Sequence, residues 1–259
     1  MQGPAARAKP RGFTLMNASL WLAGVDGCRD GWIAAFVRPD GAEGAVAVFG
    51  RFADVIASPQ QPAIVAVDVP IGLPERVGAG GRAAENAVRP LLGARQSSVF
   101  SVPSRAAVEA ADYAAACQAA LATSAPPRKV SKQLFNIVPK IREVDAALRA
   151  DVALAARVHE VHPELAFWRL NGGRPLAEPK KVKNAPYSPG LALRRRLLRE
   201  AGLPATLIDA PPPKGAGPDD LLDALACAAV ARRIHDGSAR PFPDPPPRDP
   251  YGLPMAIWA

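Results

Sequence analysis

Leu20-Trp21-Leu22-Ala23-Gly24-Val25-Asp26-Gly27-Cys28-Arg29-Asp30-Gly31-Trp32-Ile33-Ala34-Ala35-Phe36-Val37 reads as two apolar strands joined by a polar turn. Leu20 to Gly27 forms the first strand and Gly31 to Val37 the second, with Cys28-Arg29-Asp30 between glycines as the hairpin turn. Glu43 to Phe49 alternates into a third strand, so the chain opens as an antiparallel meander. Asp26 is out of place at the end of its apolar run. A buried carboxylate without a partner is costly, and is expected to be protonated, paired with a cation or bound to a metal.

Two further segments repeat the anomaly. In Ala63-Ile64-Val65-Ala66-Val67-Asp68-Val69 the apolar residues fall on both faces, as at the centre of a covered sheet, and Asp68 interrupts them. Pro70 and Pro74 end that strand. Near the carboxyl end, Asp219-Asp220-Leu221-Leu222-Asp223-Ala224-Leu225-Ala226 opens an Ala/Leu-rich helix. An N-cap and an acidic first turn account for Asp219 and Asp220. They account less well for Asp223, whose face continues with Ala226, Cys227 and Val230. Asp220 and Asp223 share a helix face, about 5–6 Å apart at Cβ. Carboxylates on separate strands and a helix, if they converge, make a cage for a divalent cation, so a metal-dependent enzyme is expected.

Around these segments lies an α/β core with a mixed sheet, helices on its faces and an all-helical insertion at about residues 80–150. Phe52 to Ala57 reads as a short helix, and residues 82–92, 104–122 and 131–149 as the helices of the insertion. Residues 158–170 return to strand character. Residues 188–201 form a strongly basic amphipathic helix and 219–236 the last one. Residues 1–18 are expected to be a disordered leader, with Met16 a candidate translation start, and residues 19–238 a single domain. The proline-rich tail, 239–259, is expected to run extended over the surface.

The 259 residues carry 32 basic and 24 acidic side chains, a net charge of +8. That excess favours a polyanionic partner such as nucleic acid, although arginine over lysine with abundant alanine and proline also reads as GC-rich codon bias. Cys28, Cys117 and Cys227 form no C-x-x-C pair, which argues against a disulfide framework and fits a reducing cytoplasm. No apolar run approaches the roughly 18 residues of a membrane span. A Rossmann reading fails, because Gly24, Gly27 and Gly31 lack the G-x-G-x-x-G spacing and lead into a strand.

Val158-His159-Glu160-Val161-His162-Pro163-Glu164, read as a strand, sets Glu160 and His162 on one face. A structural histidine–carboxylate pairing is one reading. The other makes Glu160 or Glu164 a further active-site carboxylate and His162 a proton shuttle or substrate contact. Among the basic clusters, Lys180-Lys181-Val182-Lys183 lies in a loop, with Lys181 and Lys183 taken as phosphate contacts. Arg194-Arg195-Arg196 reads as a solvated helix face.

The finer pattern resembles a bacterial and archaeal family described as predicted nucleases of RNase H fold. The residues that carry it are Val25-Asp26-Gly27-Cys28-Arg29-Asp30-Gly31-Trp32, Val67-Asp68-Val69-Pro70-Ile71-Gly72, Pro139-Lys140-Ile141-Arg142-Glu143-Val144-Asp145, Glu160-Val161-His162-Pro163-Glu164 and Asp219-Asp220-Leu221-Leu222-Asp223-Ala224. The last helix is similar to that of the Holliday-junction resolvase branch. The resemblance implies an RNase H-like mixed five-stranded sheet, an antiparallel meander followed by parallel strands. It implies that Asp26, Asp68, Asp220 and Asp223 hold Mg²⁺ or Mn²⁺ and, with Glu164, carry catalysis of phosphodiester hydrolysis by a metal-activated water. His162, Lys140, Lys181 and Lys183 are the implied substrate contacts. Asp68 stands where a glutamate is usual, which draws a metal closer to its strand. The implied partner is DNA or RNA, with the oligomeric state open and a homodimer included. Two alternatives stand beside this reading: an ATP-binding phosphotransferase-like protein of the actin and sugar kinase superfamily, or an RNase H-fold binding protein without catalysis.

Overall fold

A computed structural model describes residues 20–259; the leader expected at residues 1–18 and the start at Met16 lie outside the described residues. The strands of the main sheet are β1 (Leu22–Cys28), β2 (Gly31–Val37), β3 (Gly44–Phe49), β4 (Ile64–Val67) and β5 (Val158–Glu160), in the order β3-β2-β1-β4-β5. β1, β2 and β3 pair antiparallel, and β4 and β5 add in parallel. Arg29 and Asp30 make the tip of the β1–β2 hairpin, and Gly31 follows at φ +127°, a conformation that favours glycine. The result is an α/β fold with a mixed five-stranded sheet flanked by helices, consistent with the RNase H-like arrangement.

Helix α1 (Phe52–Ile56) links β3 to β4. The insertion carries α2 (Ala83–Val88), two 3-10 turns over Arg89–Leu91 and Gly93–Ser98, then α3 (Arg105–Glu109), α4 (Tyr113–Thr123), α5 (Lys132–Ala150) and α6 (Val152–Ala155). After β5 come α7 (Pro163–Leu170), the small hairpin β6–β7 (Lys181–Val182 and Ala185–Pro186), α8 (Ser188–Glu200), α9 (Ala205–Ile208) and α10 (Pro218–His235). The chain closes with the pair β8–β9 (Pro241–Phe242 and Ile257–Trp258).

Alternation along β1 divides the core. Ala23 and Val25 join Val65 and Val67 on the face covered by α5 and its neighbours. Gly24 and Asp26 face the other way, toward α10. A Cβ on Gly24 would stand 2.0 Å from the Ala228 amide nitrogen and 2.1 Å from the Ala224 carbonyl oxygen. Only glycine lets the helix backbone lie this close to the strand, and that approach seats Asp223 on α10 beside the end of β1. Ala224, Ala226, Ala228 and Ala231 keep the rest of the contact shallow, all fully buried.

Three expectations need correction. Residues 158–170 are not a continuous strand: β5 stops at Glu160, His162 is the N-cap of α7, and Pro163 begins the helix. Proline's fixed φ and missing N–H suit the first helical position, so the motif is a strand-to-helix turn. Arg194 is not on a solvated face but completely buried on α8. The tail is proline-rich, yet it is packed rather than draped over the surface. Leu253, Ala256 and Ile257 are buried, Trp258 bridges to Val161 beyond β5, and Asp249 is an internal ion-pair partner of Arg105 at 2.8 Å.

Candidate active site

The parallel register Val25↔Val67 sets the meeting point. Asp26 and Asp68 are each the next residue, and the Asp68 amide donates to the Val25 carbonyl at 2.9 Å. Both carboxylates therefore emerge at the carboxyl ends of adjacent parallel strands, where open α/β sheets bind ligands. Asp26 accepts from the Gly27 amide at 2.7 Å and is buried. Asp223 arrives from α10, 2% exposed, and Glu164 from the first turn of α7. Asp26 and Asp68 open onto a cavity of about 190 Å³ whose wall includes Ser98, Phe100, Lys140 and Ile257.

These carboxylates act on one another. Burial, then the charges of Asp68 and Asp223, hold the Asp26 carboxyl well above its ordinary value. Burial pushes Asp68 up to about 7, opposed by Lys180 and assisted by Glu164. Burial likewise raises Asp223 to about 6, again with Lys180 opposing. Lys180 is the residue that sequence reasoning missed. Burial alone would lower its ammonium, but Asp223 and then Asp26 outweigh that and hold it above its usual range. It donates to Asp223 Oδ2. Its side chain is 32% exposed, and its charged end lies among the carboxylates. Gly190 positions it: a Cβ there would stand 1.8 Å from the Pro179 carbonyl, so α8 presses directly on the residue preceding Lys180. Lys180 stood in the basic run read from the sequence, but nothing local separated it from Lys181 and Lys183.

The expected site residues divide accordingly. Asp26, Asp68, Asp223 and Glu164 come together, and His162 joins them: its ring feels Glu164, Lys180 and Asp223 after the burial that lowers its pKa. Its Nε2 lies 3.3 Å from the Ser98 carbonyl oxygen. A carbonyl only accepts, so Nε2 carries the proton and Nδ1 presents a lone pair. Asp220 is turned away to accept from the Gly217 amide at 2.8 Å, stabilising the start of α10, and only its field reaches Asp26. Lys140 lines the cavity but donates to the Gly31 carbonyl, its nitrogen 4.5 Å from the Trp32 ring centroid. Lys181 pairs with Asp219 at 2.6 Å, and Lys183 is exposed in the β6–β7 turn. Glu160 is held by Arg82.

The donor set can be weighed against a divalent cation. Among the described residues no group of three or more His, Cys, Asp or Glu is arranged as a ready-made metal cage. The chemistry nevertheless fits. The candidate donors are all hard carboxylate oxygens. Four carboxylates (Asp26, Asp68, Asp223, Glu164) face two cations, Lys180 and Arg194, the latter bonded to Glu164. Three buried polar atoms of this cluster, Asp223 Oδ1, Glu164 Oε2 and His162 Nδ1, have no hydrogen-bond partner. Native structures rarely leave such atoms unsatisfied, and these three have free valence for a cation or water. Asp26, Asp68 and Asp223 are the residues that would hold a cation, with Lys180 yielding its place beside Asp223.

A family model described as "Protein of unknown function (DUF429)" matches residues 24–248. No curated protein and no solved structure matches the chain. The match covers all of the main sheet but its first two residues, the helical insertion and every residue of the carboxylate cluster, and the chain belongs to that family.

Proposed function

We propose that the protein is a divalent-metal-dependent phosphodiester hydrolase acting on nucleic acid, a nuclease akin to the Holliday-junction resolvase branch of the RNase H-like enzymes. The observation that supports this reading is the meeting of four carboxyl groups, Asp26, Asp68, Asp223 and Glu164, with only two cations, Lys180 and Arg194, among them. Mg²⁺ or Mn²⁺, held by Asp26, Asp68 and Asp223, would supply Lewis-acid stabilisation of a phosphoryl oxygen and a water acidic enough to attack at neutral pH. The side chains supply the rest. Asp26 and Asp68 orient the reacting centre from rigid strand ends, and Asp223 completes it from α10. Lys180, released from Asp223, offers its ammonium to a non-bridging phosphate oxygen. His162, kept neutral by burial, takes up a proton at Nδ1. The basic balance of the chain and its three free thiols suit a nucleic-acid partner in the cytoplasm. No helix among the described residues is long and apolar enough to cross a membrane.

The test is cleavage of labelled single-stranded and duplex DNA and RNA with Mg²⁺ or Mn²⁺, by the native chain and by Asp26→Asn and Asp223→Asn. Each substitution is expected to lower the rate at least ~100-fold, beyond what loss of an outer-shell partner usually costs. Metal-dependent cleavage that persists in both variants removes Asp26 and Asp223 from the mechanism. The Lys180–Asp223 ion pair favours a second reading, a binding protein of the same fold whose lysine permanently replaces the metal. That reading requires divalent cations to leave the melting temperature unchanged. The paired domains of the actin and sugar kinase superfamily have no counterpart among the described residues, which hold one such sheet.

A further inference from the structure

A larger cavity of about 520 Å³ adjoins the carboxylate cavity, and the two share Val99, Phe100 and Val102 in their walls. That volume lies within the range of small-molecule sites, about 300–1,000 Å³. Phe100, half-buried, stands as a partition between them. The two spaces differ in charge. The smaller is lined by four carboxylates, Asp26, Asp68, Glu85 and Glu160, against one cation, Lys140. The larger contains no carboxylate and carries three cations, Arg89, Arg128 and Lys129.

The cations of the larger cavity lack the partners that arginines elsewhere in this fold possess. Arg89 donates to the Val99 and Gly80 carbonyls and to Ser101 Oγ, neutral groups that fix its position without cancelling its charge. Burial lowers its pKa, Glu85 raises it, and Arg128 lowers it further, so two like charges face each other across the cavity. Arg128 and Lys129 are exposed, and none of the three pairs with a carboxylate among the described residues. Ser131, the N-cap of the 19-residue helix α5, also lines the wall, so the positive end of that helix adds to the field. At Gly78 a Cβ would meet nothing within 4 Å, which leaves that part of the wall open.

We propose that this cavity receives one nucleotide of a single-stranded nucleic acid, adjacent to the phosphodiester held at the carboxylates. The base lies against Phe100, and the flanking phosphate meets Arg128, Lys129 and the amino end of α5. The apolar partition supplies a stacking surface, the cations supply backbone contacts, and together they form a single-strand site. A base in a duplex has both faces covered by its neighbours and cannot use such a partition. The identity of the ligand rests on the hydrolase reading above, but its binding needs no metal and no cleavage.

The experiment is fluorescence anisotropy of a labelled octathymidylate on the full chain in EDTA, with a duplex of equal length for comparison. Charge reversal of the exposed pair, Arg128→Glu with Lys129→Glu, is expected to weaken single-strand binding at least about ten-fold and to flatten its salt dependence. Phe100→Ala is expected to weaken it by roughly five-fold or more, while Phe100→Trp keeps it. Thermal melts of each variant separate loss of binding from loss of fold. The proposal is overturned if the charge-reversed protein binds as tightly as the native chain, if the duplex binds as well as the single strand, or if polyglutamate competes as well as the oligonucleotide. Single-strand binding with these dependences but no cleavage under any divalent metal sinks the hydrolase reading and leaves this site standing. Cleavage with an unchanged KM in the charge-reversed variant does the reverse.

Discussion

Two buried clusters of charge flank the small cavity, and they differ in how completely they are bonded. In the first, Arg82 reaches Glu160 through both terminal nitrogens, at 2.6 and 3.0 Å, and Glu85 through Nε at 2.8 Å. It also donates to the carbonyls of Ile71 and Gly72, while the Ile71 amide donates to Glu160 at 2.7 Å. None of these side-chain atoms is left without a partner. In the second, the cluster of Asp26, Asp68, Asp223 and Glu164 with the adjoining His162, Asp223, Glu164 and His162 each leave one atom orphaned. Burial alone does not separate the two, since it pushes Asp68 and Glu160 alike up to about 7. The hydrogen bonds do. The bonded cluster ties α2, β5 and the loop after β4 into one unit, and the unfinished one is the site of the proposed metal.

The sharpest way to break this contrast is to neutralise one member of each cluster. Arg82→Met strands two buried carboxylates and is expected to cost about 3–5 kcal/mol. Chemical denaturation measures it, and a loss under ~1 kcal/mol would mean that the Arg82 network is not what secures the loop. Next in size is the pH dependence in EDTA. Asp68 has a folded pKa raised from 3.8 to about 7, so its contribution to stability is complete below 3.8 and is lost as the pH rises through 7. The melting temperature is therefore expected to fall between pH 5 and 8, with a slope from this one group of at most about 1.4 kcal/mol per pH unit. Mg²⁺ or Mn²⁺, binding the ionised carboxylates, should restore more stability at pH 8 than at pH 5. Asp68→Asn should flatten the slope and weaken the rescue. A metal effect independent of pH would contradict carboxylate ligation.

The smallest expected effect has the opposite sign to the first. Asp26→Asn keeps an oxygen for the Gly27 amide and removes a carboxyl whose ionisation burial and its acidic neighbours oppose. In EDTA at pH 8 it is expected to stabilise the fold by roughly 1 kcal/mol, as neutral replacements of buried charge often do. Destabilisation of that size instead would place Asp26 among the structural charges.

Much of this was legible along the chain. The meander showed in the apolar run either side of the Arg29–Asp30 turn, and β4 in a run apolar on both faces. Asp26, Asp68 and Asp223 stood out because charge interrupts a periodicity that packing demands. Residues whose roles depend on distant partners were not legible. Glu160 and Glu164 look equivalent in sequence, yet Arg82 secures one and Arg194 only half-satisfies the other. Asp220 shares a helix face with Asp223, yet it serves the helix end that its first-turn position suits. Arg194 sits in a run of three arginines, two of which reach solvent.

Periodicity and composition by themselves determined the α/β class, the strand order of the meander and the acidic positions, because these follow from which side chains tolerate water at each step along a strand or helix. The tertiary structure alone decided that Lys180 enters the carboxylate cluster, that the tail closes the cavity with Ile257, and that a cationic cavity shares the Phe100 wall. Those outcomes depend on backbones approaching at Gly24 and Gly190 and on charges meeting across more than a hundred residues, and a field between distant segments leaves no mark on the pattern of either one.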